Sequence, residues 1–141
     1  MCMFVGCVIL ESLYGLQPLA GWKPVAERVV EMPDDPDATV WHVCWYRVDT
    51  ESLNERLNSL ALAMRPHWYA HFWQGDDLCV ILSGRSFWVK ASDKTTWHDF
   101  IAYGDTVGVH RKWTESVRAE LPAWVQTALQ NYSSCSSAAC D

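Results

Sequence analysis

Residues 67–73 carry the chain's densest set of side chains that could bind a ligand or move a proton. Because side chains alternate between the two faces of a strand, this segment predicts two different rows. One row is wholly apolar and contains Trp68, Ala70 and Phe72. In the other row, every side chain carries a polar group on an aromatic ring. This row contains His67, Tyr69, His71 and Trp73. Side chains of this second kind anchor interfaces and line ligand pockets, so the second row is predicted to bind a partner.

Two other strand-like segments supply rings for the same surface. Trp45 alternates with Cys44 and Tyr46 in residues 39–48, and Trp88 shares a face with Lys90 in residues 86–90. The predicted binding residues are therefore His67, Tyr69, His71, Trp73, Trp45 and Trp88. The sequence does not give the register between strands, so two alternatives stay open. The C-terminal helices would cover this face in a three-layer domain, or a homodimer would form through it.

The same histidines could act in catalysis. An imidazole moves protons near neutral pH, so His71 or His67 as a general base, with Asp76, Asp77 or Tyr69 nearby, would suit a small hydrolase or isomerase. The chain has no nucleophile elbow and no recognisable spacing of Ser, His and carboxylate. We therefore assign no catalytic residue, and an enzyme is the alternative to a non-enzymatic binding domain.

Metal or cofactor chemistry is not predicted. His67 and His71, four positions apart on a strand, would be separated by about 13 Å, too far to chelate one ion together. The six cysteines show no Cys-x-x-Cys pair, so neither a zinc site nor a disulfide framework is indicated. Scattered, reduced cysteines are typical of a cytoplasmic protein, which is the predicted location.

Charge and composition exclude several classes of protein. With 17 acidic against 11 basic residues, the net charge is −6, whereas a nucleic-acid-binding protein usually shows a basic stripe. The apolar run at residues 1–10 is shorter than a membrane span and lacks the basic flank of a signal peptide. The chain is 50% hydrophobic and 20% charged, as expected for a globular domain. We predict no nucleic-acid and no membrane partner, and an unidentified small molecule or protein as the ligand.

Patterning along the chain places these residues on elements. Strands are predicted at 3–12 and 39–48, with either a short strand or an extended stretch at 25–32, followed by a helix on which Leu53, Leu57 and Leu60 share a face. Gly-containing joints then divide residues 67–74, 78–82 and 86–90 into a three-stranded meander. If strands 39–48 and 67–74 were parallel neighbours, the helix between them would make a right-handed crossover. Further helices are predicted around Trp97, from Thr114, and after Pro122.

This order of elements predicts an α+β fold. We expect a single mixed or mostly antiparallel sheet of four to five strands with helices packed on it. Residues 1–132 would form one domain, because globular domains span roughly 100–200 residues. Residues 133–141 would form a flexible tail rich in Ser and Cys.

The motif Trp68-Tyr69-Ala70-His71-Phe72-Trp73-Gln74-Gly75-Asp76 resembles the shared feature of a family of small uncharacterised prokaryotic proteins. Weaker similarity is found at Val8-Ile9-Leu10-Glu11-Ser12-Leu13, Trp41-His42-Val43, Thr96-Trp97 and Tyr103-Gly104. The resemblance covers roughly residues 8–108 and leaves the C-terminal third outside. It implies a compact α+β domain and assigns no catalytic residue.

Overall fold

The computed structural model describes residues 3–134, and for 131–134 the backbone alone. Six strands form one antiparallel sheet in the order β2-β3-β1-β4-β5-β6. The strands are β1 (Met3–Ile9), β2 (Ala26–Glu31), β3 (Val40–Asp49), β4 (Ala70–Gln74), β5 (Asp77–Leu82) and β6 (Arg85–Lys90). The predicted α+β class with a single sheet is confirmed. The expected count of four to five strands is wrong, because β2 pairs with β3 along its whole length and forms an edge of the sheet.

Four α-helices accompany the sheet: α1 (Leu53–Ala63), α2 (His98–Thr106), α3 (Arg111–Thr114) and α4 (Ala123–Ser134). The α1 helix follows a 3-10 turn that Asp49 caps by accepting a hydrogen bond from the Glu51 N–H. It buries Leu53, Leu57 and Leu60, the face that the leucine spacing predicts. Within the described residues no helix combines the length and apolar character needed to cross a membrane.

The first strand occupies the middle of the sheet. It pairs with β3 over residues 3–9 and with β4 over residues 5–7, so β3 and β4 run parallel to each other with β1 between them. The α1 helix therefore carries the chain across β1. The condition for a crossover between adjacent strands is therefore not met, because β1 lies between strands 39–48 and 67–74.

Both faces of the sheet are buried. On the first face, α1 packs over a core that includes Phe4, Val8 and the predicted apolar row of Trp68, Ala70 and Phe72. On the second face, Trp45, Trp73 and Phe87 pack with Phe100 of α2 and Val125 of α4. The domain thus has three layers, the alternative that strand alternation alone left open.

The C-terminal third departs from the sequence prediction at one helix. The α3 helix ends at Thr114 rather than beginning there. The His110 ring nitrogen accepts from the Lys112 N–H and caps the helix, which therefore begins at Arg111. Thr114 is fully buried against Gly104, where an added Cβ would lie 3.0 Å from the threonine methyl group. Helix α4 follows Pro122 as predicted. It includes residues 133 and 134 of the expected tail, and residues 135–141 lie outside the described part of the chain.

Gly6 is a position where the central strand tolerates no side chain. A Cβ there would lie 2.2 Å from the Phe72 ring and 2.4 Å from the His71 carbonyl oxygen. We expect Gly6→Ala to lower the free energy of unfolding by about 2–3 kcal/mol, since a buried ring and a strand backbone must both shift. Urea denaturation measures the change. The control is Gly15→Ala, whose Cβ meets nothing within 4 Å, and equal losses in the two variants would contradict the packing argument.

Candidate functional site

A cavity of about 140 Å³ opens at the end of the sheet where β1 stops and β4 starts. Its walls come from β1, β3, β4, the loop after β2 and helix α3. The lining residues are Cys7, Ile9, Asp35, Asp37, Trp41, His67, Trp68, Tyr69, His71 and Trp113. Cavities of about 150 Å³ accept a benzene-sized molecule, so this space suits a small ligand or one group of a larger one.

Aromatic rings form most of the cavity wall. The rings of Trp41 and Trp68 lie 5.2 Å apart at 63° to each other. Trp41 is anchored to the loop before β3, because its indole N–H donates to the Ala38 carbonyl oxygen at 3.0 Å. Tyr69 adds a ring 6.1 Å from His71, and Trp113 of α3 lies at the opening with 42% of its surface exposed. The site is thus an aromatic enclosure closed on one side by α3, a helix that the sequence predicts to begin only after Trp113.

The loop after β2 brings two carboxylates to this enclosure. One oxygen of Asp35 accepts from the main-chain N–H groups of Asp37 and Ala38, at 2.8 and 3.0 Å. The loop is closed at its base by the Met32 N–H, which donates to the Thr39 carbonyl oxygen. Local hydrogen bonds of this kind fix an Asx turn. Asp35 and Asp37 are therefore presented by an ordered turn.

The prediction that His67 belongs to a strand is wrong. His67 lies in the turn that precedes β4. Its φ of +79° is the left-handed conformation that a non-glycine residue seldom adopts, so β4 begins only at Ala70, although Trp68 and Tyr69 still lie on the two faces that the alternation predicts. The His67 N–H donates to the Val107 carbonyl oxygen, and its ring packs on Gly108, where a Cβ would clash at 2.2 Å. The exposed imidazole Nδ1 lies 3.4 Å from Asp37 Oδ2. His67 thus lies at the mouth of the cavity.

His71 lies deeper, in a row that crosses the second face of the sheet. Strand register aligns Trp45, Cys7, His71, Val80 and Phe87. The imidazole stacks on the Trp73 ring at 5.5 Å and 10° and meets the edge of Trp45 at 6.3 Å. Burial lowers the pKa of His71 from 6.5 to about 4, although a hydrogen bond with the Arg118 main chain opposes the shift. The ring is therefore neutral at physiological pH.

The neighbouring thiol is equally unreactive. Burial raises the pKa of Cys7 to about 12, so it remains protonated and forms no thiolate–imidazolium pair with His71. Asp76 and Asp77, the expected partners of His71, are used elsewhere. Asp76 accepts from Ser92, and Asp77 pairs with Lys90. The geometry around His71 supports packing and ligand contact rather than proton transfer.

Strand register divides the residues predicted to bind. Trp45, Tyr69, His71 and Trp73 lie together on the second face of the sheet, with Trp45 and Trp73 buried beneath the helices and the other two reaching the cavity. Trp88 lies on the opposite face, against Phe4 at 5.5 Å. It aligns with Cys79 and Phe72, members of the apolar row, so its expected place beside Trp73 is wrong.

Seven of the ten lining residues, among them Trp41, Trp113, Asp35 and Asp37, were not predicted as binding residues. The sequence places Trp41 on a strand of unknown register and Trp113 just before a predicted helix, and it places Asp35 and Asp37 in the connection between residues 25–32 and 39–48. The proximity of this loop to residues 67–71 depends on long-range packing. The signal present in the sequence was the combination of two prolines with three aspartates in residues 33–37, which favours an ordered acidic turn.

Comparison with family models, curated proteins and solved structures finds no match to this chain. The resemblance to a small prokaryotic family therefore stays a prediction. Among residues 3–134, no group of three His, Cys, Asp or Glu side chains is placed to hold a metal ion.

The low pKa of His71 makes stability depend on pH. Unfolding returns the imidazole to a pKa of about 6.5, so the unfolded chain binds a proton that the folded chain excludes. The free energy of unfolding should then fall as pH decreases through the window from about 6.5 to about 4, by about 2 kcal/mol between pH 7 and pH 5. Urea denaturation at the two pH values measures it. We expect His71→Gln to remove this dependence and the exposed control His98→Gln to retain it; equal pH dependence in all three proteins would refute the assignment.

Proposed function

We propose that the protein is a non-enzymatic binding domain that takes a small molecule into the aromatic cavity between the acidic loop, the start of β4 and helix α3. The observation that carries the proposal is the convergence of four rings, two histidines and two carboxylates on one cavity of about 140 Å³. Binding sites for small molecules are typically concave and apolar, with a few placed polar groups. This cavity has that composition.

The surroundings of the cavity favour ligand binding over a structural void. Two wider, open cavities adjoin it by sharing residues. One is lined by the acidic loop and residues 108–113 and shares His67 and Trp113; the other lies before α4 and shares Tyr69 and His71. The aromatic cavity is thus accessible from solvent, and buried Trp45 and Trp73 support its floor through ring contacts with His71.

A small molecule is favoured over a protein partner or homodimer because the rings face a concavity. On the second sheet face, Trp45 and Trp73 are covered by the chain's own helices, so they are not free to form the flat aromatic surface that a partner would need. We propose no nucleic-acid partner, given the net charge of −6. The free thiols of Cys7, Cys44 and Cys79 support a reducing, cytoplasmic location.

One observation favours a second candidate function. His67 Nδ1 lies 3.4 Å from Asp37 Oδ2 at the mouth of the cavity, an arrangement in which a carboxylate orients a general base. The enclosure supplies no activated nucleophile from Cys7. A reaction using His67 would therefore be a proton abstraction or a water-mediated hydrolysis. This second function predicts that the protein turns over a substrate. The His67→Gln variant should then lose the turnover and retain the affinity for the ligand.

Trp113 and Trp88 provide a matched test of the binding proposal, since they are 42% and 46% exposed and lie at different places on the domain. A panel of small cationic, neutral and anionic fragments would be screened by ligand-observed NMR and tryptophan fluorescence. For a fragment that binds, we expect Trp113→Ala to weaken affinity about five- to tenfold, as removal of one ring contact of 1–1.4 kcal/mol implies. Trp88→Ala should leave the affinity unchanged. Absence of any bound fragment, or equal losses in both variants, would contradict the proposed site.

A further inference from the structure

We propose that the ligand of the aromatic cavity is a small organic cation, bound through an alkylammonium group. This inference rests on the proposed function and assigns the chemical class of ligand. The charged residues lining the cavity are Asp35 and Asp37, and the described residues contribute neither lysine nor arginine to its wall. Of the two lining histidines, His71 is neutral at physiological pH, and His67 lies against Asp37. The cavity therefore offers negative charge.

The walls suit a weakly hydrated cation. A cation within about 6 Å of an aromatic ring centre is attracted to the negative face of the ring, most strongly by tryptophan. Three tryptophans and Tyr69 line this cavity. The rings of Trp41 and Trp68, inclined at 63° to each other, form two sides of an enclosure. Trp113 already lies 5.2 Å from the Lys112 ammonium group, so a ligand would use the part of this ring that lines the cavity.

The route into the cavity carries the same sign of charge. The adjoining open cavity, about 620 Å³, is lined by Glu31, Asp34, Asp35 and Asp37, opposed by Lys112 and the two histidines His67 and His110. Acidic clefts with low-dielectric walls concentrate cations and raise association rates. An anionic ligand would meet repulsion along this route and again at the cavity.

An inorganic cation fits the same site poorly. One Asp35 oxygen already accepts two main-chain hydrogen bonds, and no cluster of three metal-ligating side chains occurs among residues 3–134. Hard cations such as Ca²⁺ and Mg²⁺ need several oxygen ligands, whereas rings supply none. A methylated or alkylated ammonium ion loses less hydration on entering an apolar enclosure, so the combination of rings with two carboxylates selects it.

Choline and its uncharged isostere 3,3-dimethylbutan-1-ol give a direct test, because they have the same shape and differ in charge. Affinities for the intact chain would be measured by tryptophan fluorescence and ligand-observed NMR. We expect choline to bind about tenfold more tightly than the isostere, the factor that a partly desolvated cation–π contact supplies. Equal or tighter binding of the isostere would overturn the cation assignment and leave the proposed binding function intact. If neither probe and no fragment of the panel binds, the proposed function fails as well.

The Asp37→Asn variant provides a second test of the cation proposal, with Asp99→Asn as its control. Asp99 is an exposed residue in the first turn of α2, so both variants change the net charge equally. Asp37→Asn should weaken choline binding about two- to fivefold, the range of a partly exposed ion pair, and leave binding of the isostere unchanged. Unchanged urea midpoints would show that both variants fold. Equal weakening by Asp99→Asn would overturn the local assignment in favour of a general charge effect.

Discussion

The burial of both faces of a single antiparallel sheet is the constraint on which the rest of the structure depends. Antiparallel sheets often leave one face to solvent, and then every second residue of a strand is polar. Here β1 and β4 must bury alternate residues against α1 and the remaining residues against α2 and α4. Large rings meet this demand because each buries 150–250 Å². The nine tryptophans are therefore largely explained by two cores rather than by one binding face.

The central position of β1 makes this two-sided packing tight. Gly6 lets the Phe72 ring lie directly over the strand, while Cys7, its neighbour, points to the other face between Trp45 and His71. The same strand thus contributes a close contact to one core and part of the cavity wall in the other. Cavity shape and core packing are coupled through two adjacent residues.

Local patterns predicted the elements well, and long-range geometry accounts for what they missed. The alternation of Ala70, His71 and Phe72 placed each side chain on the correct face, and the leucine spacing placed α1. The position of Trp88 required the register of β4, β5 and β6, which no local pattern encodes. His67 was assigned to a strand because the pattern continues through it, whereas its backbone conformation is set by contacts with Val107 and Gly108, about 40 residues away in the sequence.

The candidate site forms where the two-sided packing stops. At His67 the chain turns with positive φ, so the alternation that sends successive residues of β4 to the two cores stops there. Trp68 still reaches the first core, while Tyr69 turns towards the second, and the gap between them is closed by Trp41, the acidic loop and Trp113. Deeper in, burial keeps Cys7 protonated and His71 uncharged. Ionisable groups held in their neutral forms add apolar surface without adding reactivity, so the charge available to a ligand is that of the carboxylates at the rim.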